Sequence, residues 1–337
     1  MSVHVEHKQR MARLWQALDG DTPPDVAAVS GMLSERLVWR GMDPVGTCQG
    51  VEDFLDRFWL PFRGSLSGLK RQVHILMAGR SNGRVDGTGD EGDWVAGTGY
   101  FTGRMSGGFL GMPASGTDVR VRWGEFARFD NGRVSYVQFM VDLVDWCEQL
   151  GIRLLPRSRG VPLVYPAPTA ADGVSFPPPD AAETERTMAL GRGLIFGGLN
   201  VFDQDNLSSM GMRRFFHPNL KWYGPGGINA CLSLEEFEDL HQQPWLTAFP
   251  DRKVQNLESL FADGPFLAGS GVCGVHMTHT GDYLGHPPQG RRLAVSGLDF
   301  WLRSGDLFTE NWVFVDMVHL FRQFGVDLLA RIRDRDH

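Results

Sequence analysis

An internal duplication constrains this chain more than any other feature of its sequence. Around Trp39 it reads LVWRGMDPVGTCQGVEDFLDRFWLPF, and around Trp222 it reads LKWYGPGGINACLSLEEFEDLHQQPW. A shift of 183 positions places Trp39 on Trp222, Gly41 on Gly224, Cys48 on Cys231, Phe54 on Phe237, Asp56 on Asp239 and Pro61 on Pro244. Farther along, FLGMPASG (109–116) matches YLGHPPQG (283–290) at a shift of 174, and that register carries FMVDLVDWCEQLGI onto VFVDMVHLFRQFGV. From Trp94 to Ile152 it gives 13 identities in 59 pairs, seven of them on five glycines, one proline and one aspartate in fixed order. Chance does not produce that arrangement, and a period this long means a repeated domain-sized unit. The nine-residue difference between the shifts points to an extra hairpin loop in SNGRVDGTGDEGD (81–93) of the first copy. Between the copies, RLLPRSRGVPLVYPAPTAADGVSFPPPDAAET holds seven of the 19 prolines, the composition of an extended linker rather than a packed element. The expected division is therefore 1–155, a first domain; 156–180, the linker; and 181–337, a second domain.

Composition narrows the functional classes. The net charge of −7 gives no global field favouring nucleic acid or an anionic membrane. Four scattered cysteines form neither a disulfide framework nor a zinc-type pair. No run approaches 18 apolar residues, and MSVHVEHKQRMARLW has no apolar signal core, so a cytoplasmic protein with reduced thiols is expected. Glycine, at 42 of 337 residues, is well above the usual 7% or so and points to tight turns and bulged strands. The acidic 81–93 loop lacks calcium-loop spacing and has no Gly-Lys-Ser/Thr phosphate signature.

Both copies show the same element order. A helix (about 5–19, and about 181–202 with Asp180 or Thr184 as cap) precedes a short second helix (about 25–35 and 205–213). The tryptophan strand follows, then a helix that Ser233 and Glu236 open as a capping box in the second copy. Alternating runs such as VRVRWGEFARF and RLAVSGLDFWL make the remainder β-rich. Helices first and an antiparallel sheet afterwards is an α+β pattern.

Several side chains stand out chemically. Asp316, with Asp142 as its counterpart, ends an apolar strand, where desolvation raises a carboxyl pKa unless donors offset it. Each is either an acid–base group or the cap of the final helix. Asp299 and Glu125 correspond to one another and sit inside apolar strands, with Arg303 on the same face as Asp299 as a candidate partner. His276 and His279 are three apart on a strand end and so make a poor metal pair; His279 opens the turn motif and is either catalytic or a turn hydrogen-bonder. Trp39 and Trp222 either fill the core or lid a pocket, and His286 belongs to the surface.

The string HTGDYLGHPPQGRRLAVSGLDFWL followed by ENWVFVDMVHLFRQFGV resembles the SnoaL-like polyketide cyclase family, part of the nuclear-transport-factor-2-like superfamily. His279, Gly281, Gly285, Pro287, Gly290, Glu310, Trp312, Asp316, Gln323 and Gly325 match its pattern. The first copy keeps Gly107, Gly111, Pro113, Gly116, Asp142, Gln149 and Gly151, but has Met105, Tyr136 and Gln138 where the second has His279, Glu310 and Trp312. The resemblance implies two tandem cone-shaped domains, each a strongly curved antiparallel sheet wrapped by N-terminal helices around an apolar pocket. Sheets of this kind often pair through their outer faces, which would make the copies a pseudo-dimer and leaves self-association of whole chains open. It also implies a cofactor-free acid–base enzyme acting on a small apolar carbonyl compound by aldol cyclisation, isomerisation or lyase chemistry. Asp316, His279 and Asp142 would be catalytic, and Trp222, Trp39, His276, Asp299, Glu125 and Trp312 would contact substrate. No cofactor, metal, nucleic acid or membrane is expected. The alternative is a non-catalytic protein that uses the same cone to bind an apolar ligand or a partner.

Overall fold

In the computed structural model, which describes residues 2–19, 24, 26–81, 91–203, 206 and 208–333, each copy folds as helices wrapped on one sheet. The first sheet runs, in spatial order, Thr47–Gln49, Leu33–Arg40, Arg133–Val141, Asp118–Asp130, Gly92–Met105 and Leu66–Ser81. The second repeats that order with Ala230–Cys231, Phe216–Tyr223, Leu307–Val315, Arg292–Ser304, Phe266–Thr278 and Ser259–Asp263; Lys253–Val254 also pairs with Phe266–Thr278. The two strand orders match element for element, and the fold is α+β in both copies. Neither sheet is purely antiparallel: the tryptophan strand pairs in parallel with the last strand, Trp39 opposite Val137 and Asn311 opposite Trp222. The intervening helices carry the chain back to the same end of the sheet, which a parallel pairing requires.

The repeated motifs have local causes. The Trp39 and Trp222 indoles fold over Gly41 and Gly224, where any Cβ would collide with the ring. Leu110-Gly111 and Leu284-Gly285 both take left-handed φ, closing the hairpins of the repeated Leu-Gly-x-Pro turn. Asp180 caps the helix Ala181–Gly197, and Ser233 caps Leu234–Phe237, as expected. The helix over 50–65 and its counterpart over 234–248 each contain a π-helical turn, at Leu55–Trp59 and Glu238–Gln242. The short helix expected near 205–213 is instead a 3-10 turn at Met212–Arg214, and part of that segment lies outside the described residues. The loop assigned to 81–93 also falls largely outside them.

The proline-rich segment has neither helix nor long strand, yet it is anchored to both copies. Tyr165 ties the two together: its backbone N–H donates to Tyr100 Oη (2.8 Å) and its hydroxyl to Gly224 O (2.8 Å). Thr169 donates to Glu310 Oε1 from N (3.0 Å) and Oγ1 (2.6 Å), and Leu76 N donates to Gly173 O (2.8 Å). The expectation of an unpacked linker fails because backbone groups that proline leaves outside any ladder find partners on the two sheets.

Between the copies the sheets meet face to face. Phe126 packs on Phe300, its own equivalent at the 174 shift, with ring centroids 5.1 Å apart. Gly124 admits Leu298 and Phe314 against its backbone. Strand alternation then turns Glu125 and Asp299 to the opposite faces, into their own cones.

Candidate functional site

The two cones have different contents. In the first, Arg71 lies over Trp15, Phe101 and Trp123, 5.1, 4.5 and 4.7 Å from their ring centroids. Glu125 accepts from Trp15 Nε1 (2.7 Å) and pairs with Arg71 (3.6 Å), which also holds Asp19 at 2.8 Å. Among the described residues, these rings and the guanidinium pack together there, and both carboxylates have partners. In the second copy the strand register sets Val254 opposite Val275, as Arg71 stands opposite Phe101, and Gly297 takes the place of Trp123. The buried helix positions 7, 11, 14 and 15 become 187, 191, 194 and 195, so Ile195 replaces Trp15. Replacing two indoles, one phenyl ring and a guanidinium by Ile, Gly and two Val leaves a cavity of about 200 Å³, well above the ~10–15 Å³ that one water needs.

Asp299, the counterpart of Glu125, is left in that cavity with no cation paired to it among the described residues. Its polar side-chain neighbour is Asn311, whose Nδ2 lies 3.4 Å from Oδ1 and donates to Phe300 O at 3.0 Å. Burial pushes the Asp299 carboxyl up to about 7, against a weaker opposing pull from Asn311. Glu125 is also raised to about 7 by burial, though Arg71 and Trp15 pull it down. His241 and Gln242 reach the cavity from the π-helical turn. The His241 ring stacks on Trp222 at 4.3 Å and 18°. Burial, then the nearby Arg252 charge, lowers its pKa to about 3, so the imidazole is neutral at physiological pH. π-turns in α-helices often mark functional sites, because the inserted residue re-aims side chains.

The strand-end aspartates lie elsewhere. Asp316 caps the helix Met317–Gln323, with Oδ1 accepting from His319 N (3.0 Å) and Oδ2 from Asp43 N of the first copy (2.8 Å). Asp142 does the same in reverse: it accepts from Asp145 N (3.1 Å) and from Gly226 N of the second copy (2.8 Å). Asp43 and Gly226 are themselves repeat equivalents, so the two carboxylates form reciprocal clasps between the copies. Arg122 reinforces one clasp, 3.2 Å from Asp142 and donating to Tyr223 O (3.1 Å). Burial raises Asp316 to about 6, partly offset by the N–H groups it accepts. Of the two roles open to these aspartates, helix capping is the one their contacts fill, and neither lines the cavity.

His279 also lies away from the cavity. It is fully buried, its ring stacked 4.3 Å from Phe324, and its backbone closes the turn through Arg291 O and Gly290 N. His276 alternates away from the lining residue Val275. Trp312 packs on Tyr223 and donates to Pro166 O (3.2 Å), under the proline-rich segment. Trp39 stacks on Phe58 within the first core (4.5 Å). Arg303 turns from Asp299 to Thr187 Oγ1 (2.8 Å) and Glu183, because the strand register slips between Leu302 and Arg303. Of the residues singled out from sequence, the cavity brings together Asp299 and Trp222. It adds His241, Gln242, Arg252 and Asn311, which sequence reasoning missed. The 183 shift carried a usable signal for two of them, since it sets His241 on Phe58 and Gln242 on Trp59.

A model of the SnoaL-like polyketide cyclase family matches residues 8–150 and 200–324. No curated protein matches the chain significantly. Solved structures similar to it each cover one copy. AclR, a candidate hydroxylase from Streptomyces galilaeus, is 22% identical over 42% of this chain and 86% of its own, with a TM-score of 0.35. IdmH, a candidate polyketide cyclase from Streptomyces antibioticus, is 21% identical over 42% and 99%, with a TM-score of 0.33. TsrD from Streptomyces laurentii is 22% identical over 43% and 97%, also with a TM-score of 0.33. Among the described residues no helix is long and apolar enough to cross a membrane, and no three His, Cys, Asp or Glu side chains group as metal ligands do.

Proposed function

The chain belongs to the SnoaL-like polyketide cyclase family, and from that premise we propose that its second copy is a general acid–base enzyme whose proton-transfer group is Asp299. The substrate is a small, largely apolar molecule with a carbonyl, and the reaction is an aldol-type ring closure or a related isomerisation. The observation that carries this reading is an uncompensated carboxyl in an apolar cavity, with its pKa near 7. Such a group is half ionised at neutral pH, where a general acid–base catalyst is most effective.

The ionised Asp299 takes a proton from carbon next to the carbonyl, leaving an enolate. The neutral His241 N–H holds the enolate oxygen. The enolate carbon then bonds to a second carbonyl carbon of the same molecule. The alkoxide so formed takes back the proton from Asp299, which returns to its ionised state. No cofactor enters this sequence. A neutral imidazole suits the donor role because it polarises the oxygen without giving up its proton, as the neutral histidine of triosephosphate isomerase does.

The first copy, with its cone filled, serves as scaffold in this reading, and the reciprocal aspartate clasps support taking the copies as a pseudo-dimer. Its division is the one the duplication suggests, with 156–180 as the tie between domains. Asp299→Asn is the decisive test, scored by turnover of small diketones and polyketide-like ketones. Loss of roughly 10²–10⁴-fold in kcat, with the fold intact by circular dichroism, is expected. Undiminished turnover by that variant rejects Asp299 as the proton carrier. Binding of such ketones by the parent without any turnover favours the ligand-binding alternative.

A further inference from the structure

The buried arginines of this molecule differ in one respect that bears on the ligand. Arg71 has Asp19 at 2.8 Å, Arg122 has Asp142 at 3.2 Å, and Arg303 has Glu183. Arg252 is as buried as these, at 6% exposure, and lines the second-copy cavity, but among the described residues no carboxylate pairs with it. Its Nη2 donates to Leu199 O (3.0 Å) and contacts Met210 Sδ (2.8 Å), both neutral. Asp299 does not serve as its counter-ion, since among the described residues Asn311 is the side chain bonded to that carboxyl. The cavity therefore has an acid in one place and an unmatched cation in another, with apolar walls between.

We propose that the cavity takes an apolar molecule bearing a carboxylate, and that Arg252 is the counter-ion that selects it. A guanidinium buried without a charge partner is costly in the empty protein, and burial already lowers its pKa to about 10. Because that desolvation occurs on folding, an incoming carboxylate meets a cation already stripped of water and held in place by Leu199 and Met210. The fork of N–H donors suits a planar carboxylate. The buried Gln242 Oε1, which has no hydrogen-bond partner among the described residues, marks a second polar point, one that would accept from a ligand hydroxyl. Resting on the acid–base reading above, the substrate class becomes an apolar keto acid, with its carboxylate at Arg252 and its reacting carbonyl toward Asp299.

The test compares binding of 2-naphthoate with that of its methyl ester, two probes of similar shape, by calorimetry on the full chain. The parent is expected to favour the acid by at least tenfold. Arg252→Met, which keeps an unbranched side chain and removes the charge, should abolish or invert that preference, and Arg252→Lys should restore part of it. A purely structural Arg252 would weaken both probes alike, so the ratio separates the two roles even if the variant is less stable. Equal affinity of the parent for acid and ester, or binding of neither at millimolar concentration, overturns the proposal. Asp299→Asn should leave the acid-to-ester ratio near its parent value. Should that variant keep full turnover while the ratio still depends on Arg252, the acid–base reading falls and the carboxylate inference stands.

Discussion

Asp299 and Glu125 occupy equivalent positions and differ in what surrounds them. Glu125 has an indole N–H and a guanidinium, whereas Asp299 has one amide at 3.4 Å. The consequence for stability has a definite sign. The folded-state pKa of Asp299, about 7, lies above its ordinary value of 3.8, so the native state holds the proton more tightly than the unfolded chain. That contribution is fully present below about pH 4 and is lost as pH rises through 7. Asp299→Asn, which cannot ionise, should match the parent near pH 4 and exceed it by roughly 4 kcal/mol at pH 8.5, following about 1.4 kcal/mol per pKa unit. Urea unfolding across that range checks it, and parallel curves for the two proteins would mean that Asp299 is not desolvated. Glu125, Asp145 and Asp316 are common to both proteins, so the difference isolates one carboxyl. Sequence alone placed Asp299 in an apolar strand and paired it with Glu125, but it could not show which copy had kept the partners. Those partners come from a helix and an edge strand distant in sequence, Trp15 and Arg71, and only the fold brings them to Glu125.

At the scale of elements, the duplication made the order of helices and strands along each copy legible because Gly41, Gly111, Gly224 and Gly285 repeat for steric reasons that any copy must obey. What it hid was the side-chain volume within each cone. The cavity exists because Trp15, Arg71, Phe101 and Trp123 became Ile195, Val254, Val275 and Gly297, a loss that only their convergence in space reveals. Gly297→Trp, refilling the position of Trp123, is therefore expected to abolish probe binding in the second copy. The strand itself should survive, since the equivalent strand Asp118–Asp130 carries a tryptophan there. Calorimetric titration with 2-naphthoate reads the loss, and unchanged affinity would place the binding site outside this cone. The π-helical turn also belongs to this scale: it recurs in both copies, but the aromatics Phe58 and Trp59 give way to His241 and Gln242 only in the second. The element is thus structural by inheritance and polar only where the cone is open. Its presence had no sequence signature, whereas the polar replacement did.

For the whole molecule, the strand-end aspartates decide how the copies are joined. Each carboxylate holds its own helix with one oxygen and the other copy's backbone with the second, so the family's strand-end aspartate acts here as a joint. The face-to-face packing of Phe126 on Phe300 and the crossing ties of the proline-rich segment act in the same direction, and one apolar cluster runs through both copies. Residues that belong to one cluster lose their packing together, so the copies should unfold in a single transition although each has its own sheet. Asp316→Ala removes a helix cap, at about 1 kcal/mol, and orphans the buried Asp43 N–H, at about 1–3 kcal/mol. The milder Asp316→Asn retains one carbonyl acceptor and should cost less. Both variants are expected to lower the single calorimetric transition without splitting it, and Asp316→Asn should keep turnover within a few-fold of the parent. Two resolved transitions in the parent would mean that the clasps and shared core leave the copies energetically independent. A collapse of turnover in a well-folded Asp316→Asn would return the chemistry to the strand-end aspartate, because a joint that survives folding has no other route to the rate.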